Sequence, residues 1–260
     1  MEFALVIPCY NFATGLARTF ERVAEWRRLK APNCRVFFVN DGSTDDTGQL
    51  LSDFATRNSV WCEAINLPKN QGKGAAVRAG FLAAQKRFSR IVFTDCDIHY
   101  GLDMIVDRVL PGLEENDVVI ADRSWVDESR AQTFTRRLTS GLFSRAVGTL
   151  TGVLFHDTQA GMKGYRTESC APLFEMQRIN SFSFDVEILS IAVYYRLRVL
   201  QLPVAFAESY EFPETSTIRI VRTSFKMLGD LIRINLNWKR GCYTSSKLAE
   251  RIDHQIYRIN

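Results

Sequence analysis

The chain has 260 residues, 46% of them hydrophobic, and a formal net charge of +4. That length buries one substantial α/β core, and the small charge excess argues against a nucleic-acid partner. Six cysteines, Cys9, Cys34, Cys62, Cys96, Cys170 and Cys242, show no C-x-x-C spacing, which argues against zinc and against a disulfide scaffold. Four of them lie in or beside strand-like runs, where a thiol packs as a small hydrophobe. No apolar stretch reaches the roughly 18–20 residues that span a bilayer. The start, M-E-F-A-L-V-I-P, lacks the cationic region and cleavage site of a signal peptide, so the expectation is a chain on the cytoplasmic side.

Taken in order, the first element is F-A-L-V-I-P-C-Y-N (Phe3 to Asn11), a buried-strand composition stopped by Pro8 and a polar turn. A helix-like stretch follows. The second strand-like run, from Arg35, ends in Asp41, with Gly42 to turn the chain and Ser43 or Thr44 to cap a helix. Trp61 to Asn66 leads into P-K-N-Q-G-K-G-A-A-V-R-A-G, where Gly72 and Gly74 free the backbone around Lys73 before an alanine-rich helix. The fourth run, R-I-V-F-T-D-C-D-I-H (Arg90 to His99), delivers Asp95, Asp97 and His99 to the end of a strand. Residues at i, i+2 and i+4 share one strand face and converge just past it on a cation that prefers oxygen. The bland alternative is a solvated acidic turn. What decides against it is recurrence: polar residues stand repeatedly at the carboxyl ends of parallel strands, the ligand edge of an open α/β sheet.

Farther along come V-V-I-A-D-R-S (Val118 to Ser124) with Arg123, then Arg130, Arg136, Arg137 and Arg145 in a helix-like stretch. D-T-Q-A-G-M-K-G-Y-R (Asp157 to Arg166) and F-D-V-E-I-L (Phe184 to Leu189) follow. From Ile218 to Trp238, Ile218, Val221, Phe225, Leu228 and Ile232 recur at three-and-four spacing among Arg219, Arg222, Lys226 and Arg233. That is an amphipathic basic helix, suited either to the sheet or to an anionic membrane surface.

Together, I-P-C-Y-N, N-D-G-S-T-D-D-T, N-Q-G-K-G-A-A-V-R-A-G and T-D-C-D resemble the nucleotide-sugar half of family 2 glycosyltransferases. The later motifs are similar to the subgroup that glycosylates polyprenyl phosphates, the dolichyl-phosphate glucose and mannose synthases, and D-T-Q-x-G-x-K leans to the glucosyl branch. The resemblance covers roughly residues 3 to 235. It implies an α/β GT-A fold with a Rossmann-like, mostly parallel sheet: a catalytic domain over 1–215, its nucleotide-sugar half about 1–122 and its acceptor half about 123–215. Residues 216–260 would form a basic, membrane-proximal helical tail.

The same resemblance implies the chemistry. Asp95, Asp97 and His99 would hold Mn2+ or Mg2+, and His99, standing where the family often has glutamine, tilts the choice to manganese because it accepts imidazole more readily. Pro8, Tyr10, Asn11, Asp41 and Lys73 would contact the nucleotide of UDP-glucose or, second, GDP-mannose, with Asp95 reaching ribose or metal. Asp157 and Gln159 would meet the sugar, and Arg123, with Arg136 or Arg137, the phosphate of a polyprenyl phosphate. That acceptor is already an anion near neutral pH, its second pKa being about 6, so no strong base is needed. A hydroxyl acceptor would need one, and Asp185 is then first choice. Glu187 shares this ambiguity. Direct displacement would invert the anomeric centre.

Two departures stand out. Phe12 replaces the family's glutamate after the Y-N pair and cannot accept a hydrogen bond. Thr217 stands where a lysine is expected, a gap that Arg219 or Arg222 could fill. The carboxyl-terminal membrane spans of many synthases are also unmatched, which implies a peripheral enzyme or one with a membrane-protein partner. The alternatives are a family 2 transferase to a hydroxyl acceptor and a non-catalytic nucleotide-binding scaffold at the membrane surface.

Overall fold

The computed structural model describes residues 2–123, 147–155, 157–204 and 217–250, with the side chains of 217–225 excepted. Seven strands form one sheet in the order β3-β2-β1-β4-β6-β5-β7. They are β1 (Phe3–Cys9), β2 (Cys34–Asn40), β3 (Cys62–Asn66), β4 (Arg90–Thr94), β5 (Val118–Asp122), β6 (Met162–Arg166) and β7 (Val199–Pro203). All pairings are parallel except those of β6, which runs antiparallel between β4 and β5. The strands are nearly continuous apolar runs because both faces are covered.

Alternation in β1 shows this. Ala4 and Val6 enter one core layer while Phe3, Leu5 and Ile7 enter the other. Helices α1 (Ala13–Lys30), α2 (Thr47–Arg57) and α4 (Leu110–Glu115) pack on the second layer, α4 following a π-helical turn over Ile105–Val109. In α1, Leu16, Thr19, Val23 and Trp26 are buried at three-and-four spacing, and Arg27, Arg28 and Lys30 in the last turn complement the helix dipole. Helices α3 (Lys73–Ala84), α5 (Thr167–Met176), α6 (Phe184–Tyr194) and α7 (Thr217–Lys239) cover the first layer.

Helix α2 starts later than Ser43 or Thr44 would set it, at Thr47. The Ser43 hydroxyl instead accepts the Asn11 amide at 3.0 Å, and Asp45 accepts the amides of Thr47 and Ala13. These side chains tie the β1 and β2 loops together rather than cap the helix. Helix α7 is also integral to the core: Leu231 and Ile234 are fully buried within the first layer. The chain turns from β1 toward β2 and β3 on one side, then returns to place β4 on the other. The crevice beyond the carboxyl ends of β1 and β4 is therefore the switch point where an open sheet receives a ligand.

Candidate active site

Past Thr94 the chain leaves the sheet with the Asp95 amide bonded to the Gly161 carbonyl at 3.0 Å. Ile98 then adopts φ +51, a left-handed conformation unfavourable for a β-branched side chain, at a cost of order 1–3 kcal/mol. Complete burial of the Ile98 side chain in the second core layer holds it there. The turn gathers one ligand atom each from Asp95, Asp97 and His99 within 4.8 Å of one another. His99 Nδ1 lies 2.7 Å from Asp97 Oδ1, and Nε2 lies 3.9 Å from Asp95 Oδ2.

Two carboxylates and an imidazole suit Mg2+ or Mn2+, and the space they face is kept open by a backbone feature. A Cβ at Gly161 would collide with the Asp95 carboxylate and stand 3.0 Å from His99 Cε1. The residues present therefore fit a divalent cation. Beneath them, Cys96 Sγ touches Cys9 Sγ at 2.9 Å, both buried; as expected of packed thiols, all six cysteines are free.

Lys73, at the start of α3, places Nζ 2.5 Å from Asp95 Oδ1 and 5.5 Å from the Phe93 ring centre. Burial favours its neutral amine, but Asp95 and Asp185 outweigh that and raise its pKa. The loop before it is fixed by Asp41, whose carboxylate accepts the amides of Gln71 and Gly72, each at 2.8 Å, and the Asn70 side chain at 3.0 Å. Gly72 needs φ +106 there, pressed against the Asn180 carbonyl. Asp41, expected to read the base, lines the adjacent cavity and also holds this loop. Asn11, at φ +48, similarly bonds Thr44 and Ser43 across to the next loop.

A cavity of about 380 Å³ opens over these residues, lined by Pro8, Tyr10, Asp41, Asn70, Lys73 and Asp95 on the sheet side. Its other wall is Ser181 and Phe182, before α6, with Lys226, Met227 and Asp230 of α7. Phe12 is not part of it. Its ring lies over the first turn of α1, where a Cβ at Gly15 would strike it, and its amide donates to Thr47 Oγ1 at 2.8 Å. The departure at Phe12 thus alters helix packing, not the cavity lining.

On the other side of β4, Arg123 forks onto Asp157, with Nε to Oδ2 at 2.5 Å and Nη2 to Oδ1 at 2.8 Å. Asp157 also accepts the amides of Arg123 and Gln159. Burial alone would raise the Asp157 carboxyl, yet the Arg123 guanidinium holds it below the usual range. The Gln159 Nε2 is buried with no hydrogen-bond partner among the described residues, so it keeps an unused donor beside the site.

Asp185 is 2% exposed, its Oδ1 3.0 Å from Nζ of Lys163, which is fully buried and also donates to the Ala160 carbonyl at 2.6 Å. Burial raises the Asp185 carboxyl and lowers the Lys163 amine, each opposed by its partner. Glu187 accepts the Arg178 and Ile179 amides and the Tyr243 hydroxyl. Arg136 and Arg137, with Arg130 and Arg145, lie outside the described residues, as does the side chain of Arg219.

Four features escape sequence reasoning: Lys163, Gly161, the Ser181–Phe182 wall and the inner face of α7. Only the first two carried a signal, as the glycine and lysine of D-T-Q-A-G-M-K.

Comparison with known proteins agrees with this geometry. The family model described as glycosyl transferase family 2 matches residues 4–174. A dolichyl-phosphate β-glucosyltransferase of Trichomonas vaginalis is 30% identical over 252 residues, 93% of this chain and 75% of that protein. The human dolichyl-phosphate β-glucosyltransferase is 27% identical over 259 residues, 93% and 77% of the two chains. Among solved structures, glucosyl-3-phosphoglycerate synthase from Mycobacterium tuberculosis with Mn2+ and UDP-glucose superimposes with a TM-score of 0.62 at 16% identity, over 90% of this chain and 78% of that one.

The open α/β sheet with an acidic cluster at its switch point has the GT-A architecture. The chain belongs to glycosyl transferase family 2 and is a glycosyltransferase.

Proposed function

We propose that this enzyme transfers glucose from UDP-glucose to a polyprenyl phosphate of the dolichyl type, with inversion at the anomeric carbon. Its similarity to dolichyl-phosphate β-glucosyltransferases favours glucose and the lipid phosphate. The observation that carries the reading is how the carboxylates are used. Asp185 is buried on Lys163, Asp157 is forked by Arg123, Asp41 holds a loop, and Asp230 accepts from Ser181. Each therefore has a task other than general base, which suits an acceptor that arrives as an anion.

In this scheme Pro8 and Tyr10 line the nucleotide, while Asp41 and Asn11 set the loops that shape its site. A divalent cation held by Asp95, Asp97 and His99 would supply Lewis-acid stabilisation of the departing diphosphate. Arg123, aimed by Asp157, neutralises the acceptor phosphate and directs one of its oxygens at the anomeric carbon. That oxygen's electron pair forms the new C–O bond from the face opposite the nucleotide. The old bond's pair leaves on the diphosphate, so an α-linked donor gives a β-linked product. Arg136 or Arg137 and Arg219 remain our choice for further acceptor-phosphate contacts, and Gln159 for a sugar hydroxyl.

We place the enzyme peripherally on the cytoplasmic face of a membrane. Among the described residues no helix is long and apolar enough to cross one. Leu228, Ile232 and Leu236 form an outward stripe on α7, 40%, 50% and 42% exposed, with exposed Arg233, Lys239 and Arg240 beside it. Such a helix lies in a lipid interface with its cations toward anionic headgroups. The test is transfer of radiolabelled sugar from UDP-glucose, in parallel with GDP-mannose, to a short polyprenyl phosphate with Mn2+ or Mg2+. Lipid-phase product from UDP-glucose, absent in Asp97→Ala, is expected. Product from GDP-mannose alone would overturn the donor, and no lipid-phase product from either would overturn the acceptor.

A further inference from the structure

The wall of the donor cavity that α7 supplies contains a cation with no assigned role. Among the described residues lining the cavity, the charged ones are Asp41, Asp95, Asp230, Lys73 and Lys226. Four are committed. Asp41 accepts two loop amides, Lys73 and Asp95 pair at 2.5 Å, and Asp230 accepts the Ser181 hydroxyl. Among the described residues Lys226 makes no ion pair, even though Asp230 lies one turn ahead on the same helix face, where a lysine and an acid ordinarily meet.

Asp230 is instead engaged by the Ser181 hydroxyl, in the loop before α6. The same loop is fastened to the start of α3, because the Asn180 carbonyl accepts the Gly74 amide at 2.8 Å. Asp230, Ser181, Asn180 and Gly74 thus form a chain of contacts that sets α7 at a fixed place across the cavity from Lys73. Phe182 completes that edge, its ring centre 5.9 Å from Lys73 Nζ. A nucleotide diphosphate entering here meets a Lys73 ammonium already neutralised by Asp95. The remaining lysine of the cavity is on α7.

We propose that Lys226 is a donor-binding residue that contacts the diphosphate of the nucleotide sugar, and that the Ser181–Asp230 contact is its positioning device. The proposal rests on the nucleotide-sugar reading of the cavity. A charged hydrogen bond of this kind contributes about ten- to a hundredfold in affinity.

The test is calorimetric titration of the full chain with UDP, GDP and uridine in the presence of Mn2+. Lys226→Met is expected to weaken the nucleotide diphosphate that the wild type binds by about tenfold or more while leaving uridine unchanged. Lys226→Arg retains most of the affinity, and Ser181→Ala loses part of it. Lys30→Met, at another exposed lysine at the end of α1, changes nothing. Unaltered diphosphate binding by Lys226→Met would overturn the proposal, as would an equal loss for uridine, which would mark a displaced helix. If the wild type binds neither UDP nor GDP, the nucleotide-sugar reading itself falls.

Discussion

Past the ends of β1 and β2, Asn11 and Asp41 are held by backbone amides and loop side chains, whereas around β6 and α6 Lys163 and Asp185, and Arg123 and Asp157, are ionised side chains held largely by one another. Asp41 rests on the amides of Gln71 and Gly72, and Asn11 on Thr44. Lys163 and Asp185, by contrast, are buried together at 3.0 Å, and Arg123 forks onto Asp157. Burial does not set the difference, since Asp41 is 3% exposed and Asp157 9%; what sets it is the group within reach, loop amides for Asp41 and a cation for Asp185. Beneath the site an ion is tolerable only when paired. The proposed donor side is consequently a set of shaped loops, and the proposed acceptor side a braced floor.

Four single substitutions and one double variant probe this contrast. Lys163→Met leaves Asp185 buried and unpaired, and is expected to cost about 3–5 kcal/mol in urea unfolding. The pair Lys163→Met with Asp185→Leu recovers most of that, since no uncompensated charge remains. A single-variant loss below about 1 kcal/mol would show that the floor is not braced by the pair. Next in size, Gly161→Ala drives a methyl into the Asp95 carboxylate. Mn2+ affinity, followed by electron paramagnetic resonance, should fall about ten- to a hundredfold, while the far-ultraviolet circular dichroism stays that of the wild type.

A smaller effect is expected from Asp157→Asn. Burial raises this carboxyl but Arg123 outweighs it, so the folded value lies below the unfolded one, about 3.9. The pair's contribution is fully present above that unfolded value and is lost as pH falls toward the lower folded one. Stability of the wild type should therefore decline more steeply than that of Asp157→Asn below about pH 4. Parallel curves would remove the Arg123 fork from the floor. The smallest effect concerns Phe12→Ala: nucleotide affinity should change by less than about twofold, while the melting temperature falls with the lost packing on α1. A large loss of affinity would return Phe12 to the donor site.

Legibility in the sequence followed the range of the contacts. Asp95, Asp97 and His99 converge through their own local spacing, so D-C-D-I-H was enough to find them, and the strand ends that carry Asp41 and Lys73 were visible as apolar runs. What Asp41 does was not legible, because its partners Gln71 and Gly72 are 30 residues away and are backbone groups. Lys163 stands in the D-T-Q-A-G-M-K motif, but its burial and its partner were not legible there; only the packing of β6 against α6 gives it Asp185.

Helix α7 shows a different limit. The three-and-four spacing identified an amphipathic helix, and the expected apolar face ran through Leu228 and Ile232. The structure buries Leu231 and Ile234 instead and leaves Leu228, Ile232 and Leu236 outward. The helix carries two apolar stripes, and periodicity alone does not say which one meets the sheet. The role proposed for Lys226 could not be read either, since the Ser181 that holds its neighbour Asp230 is 49 residues earlier in the chain than Asp230.

One comparison decides whether the floor beneath the site serves a phosphate acceptor: transfer from UDP-glucose and Mn2+ to a short polyprenyl phosphate set against the matching polyprenyl alcohol. With Asp185 locked on Lys163, product is expected from the phosphate and none from the alcohol. Efficient transfer to the alcohol, lost in Asp185→Asn, would contradict this, making Asp185 a working base and the acceptor a hydroxyl.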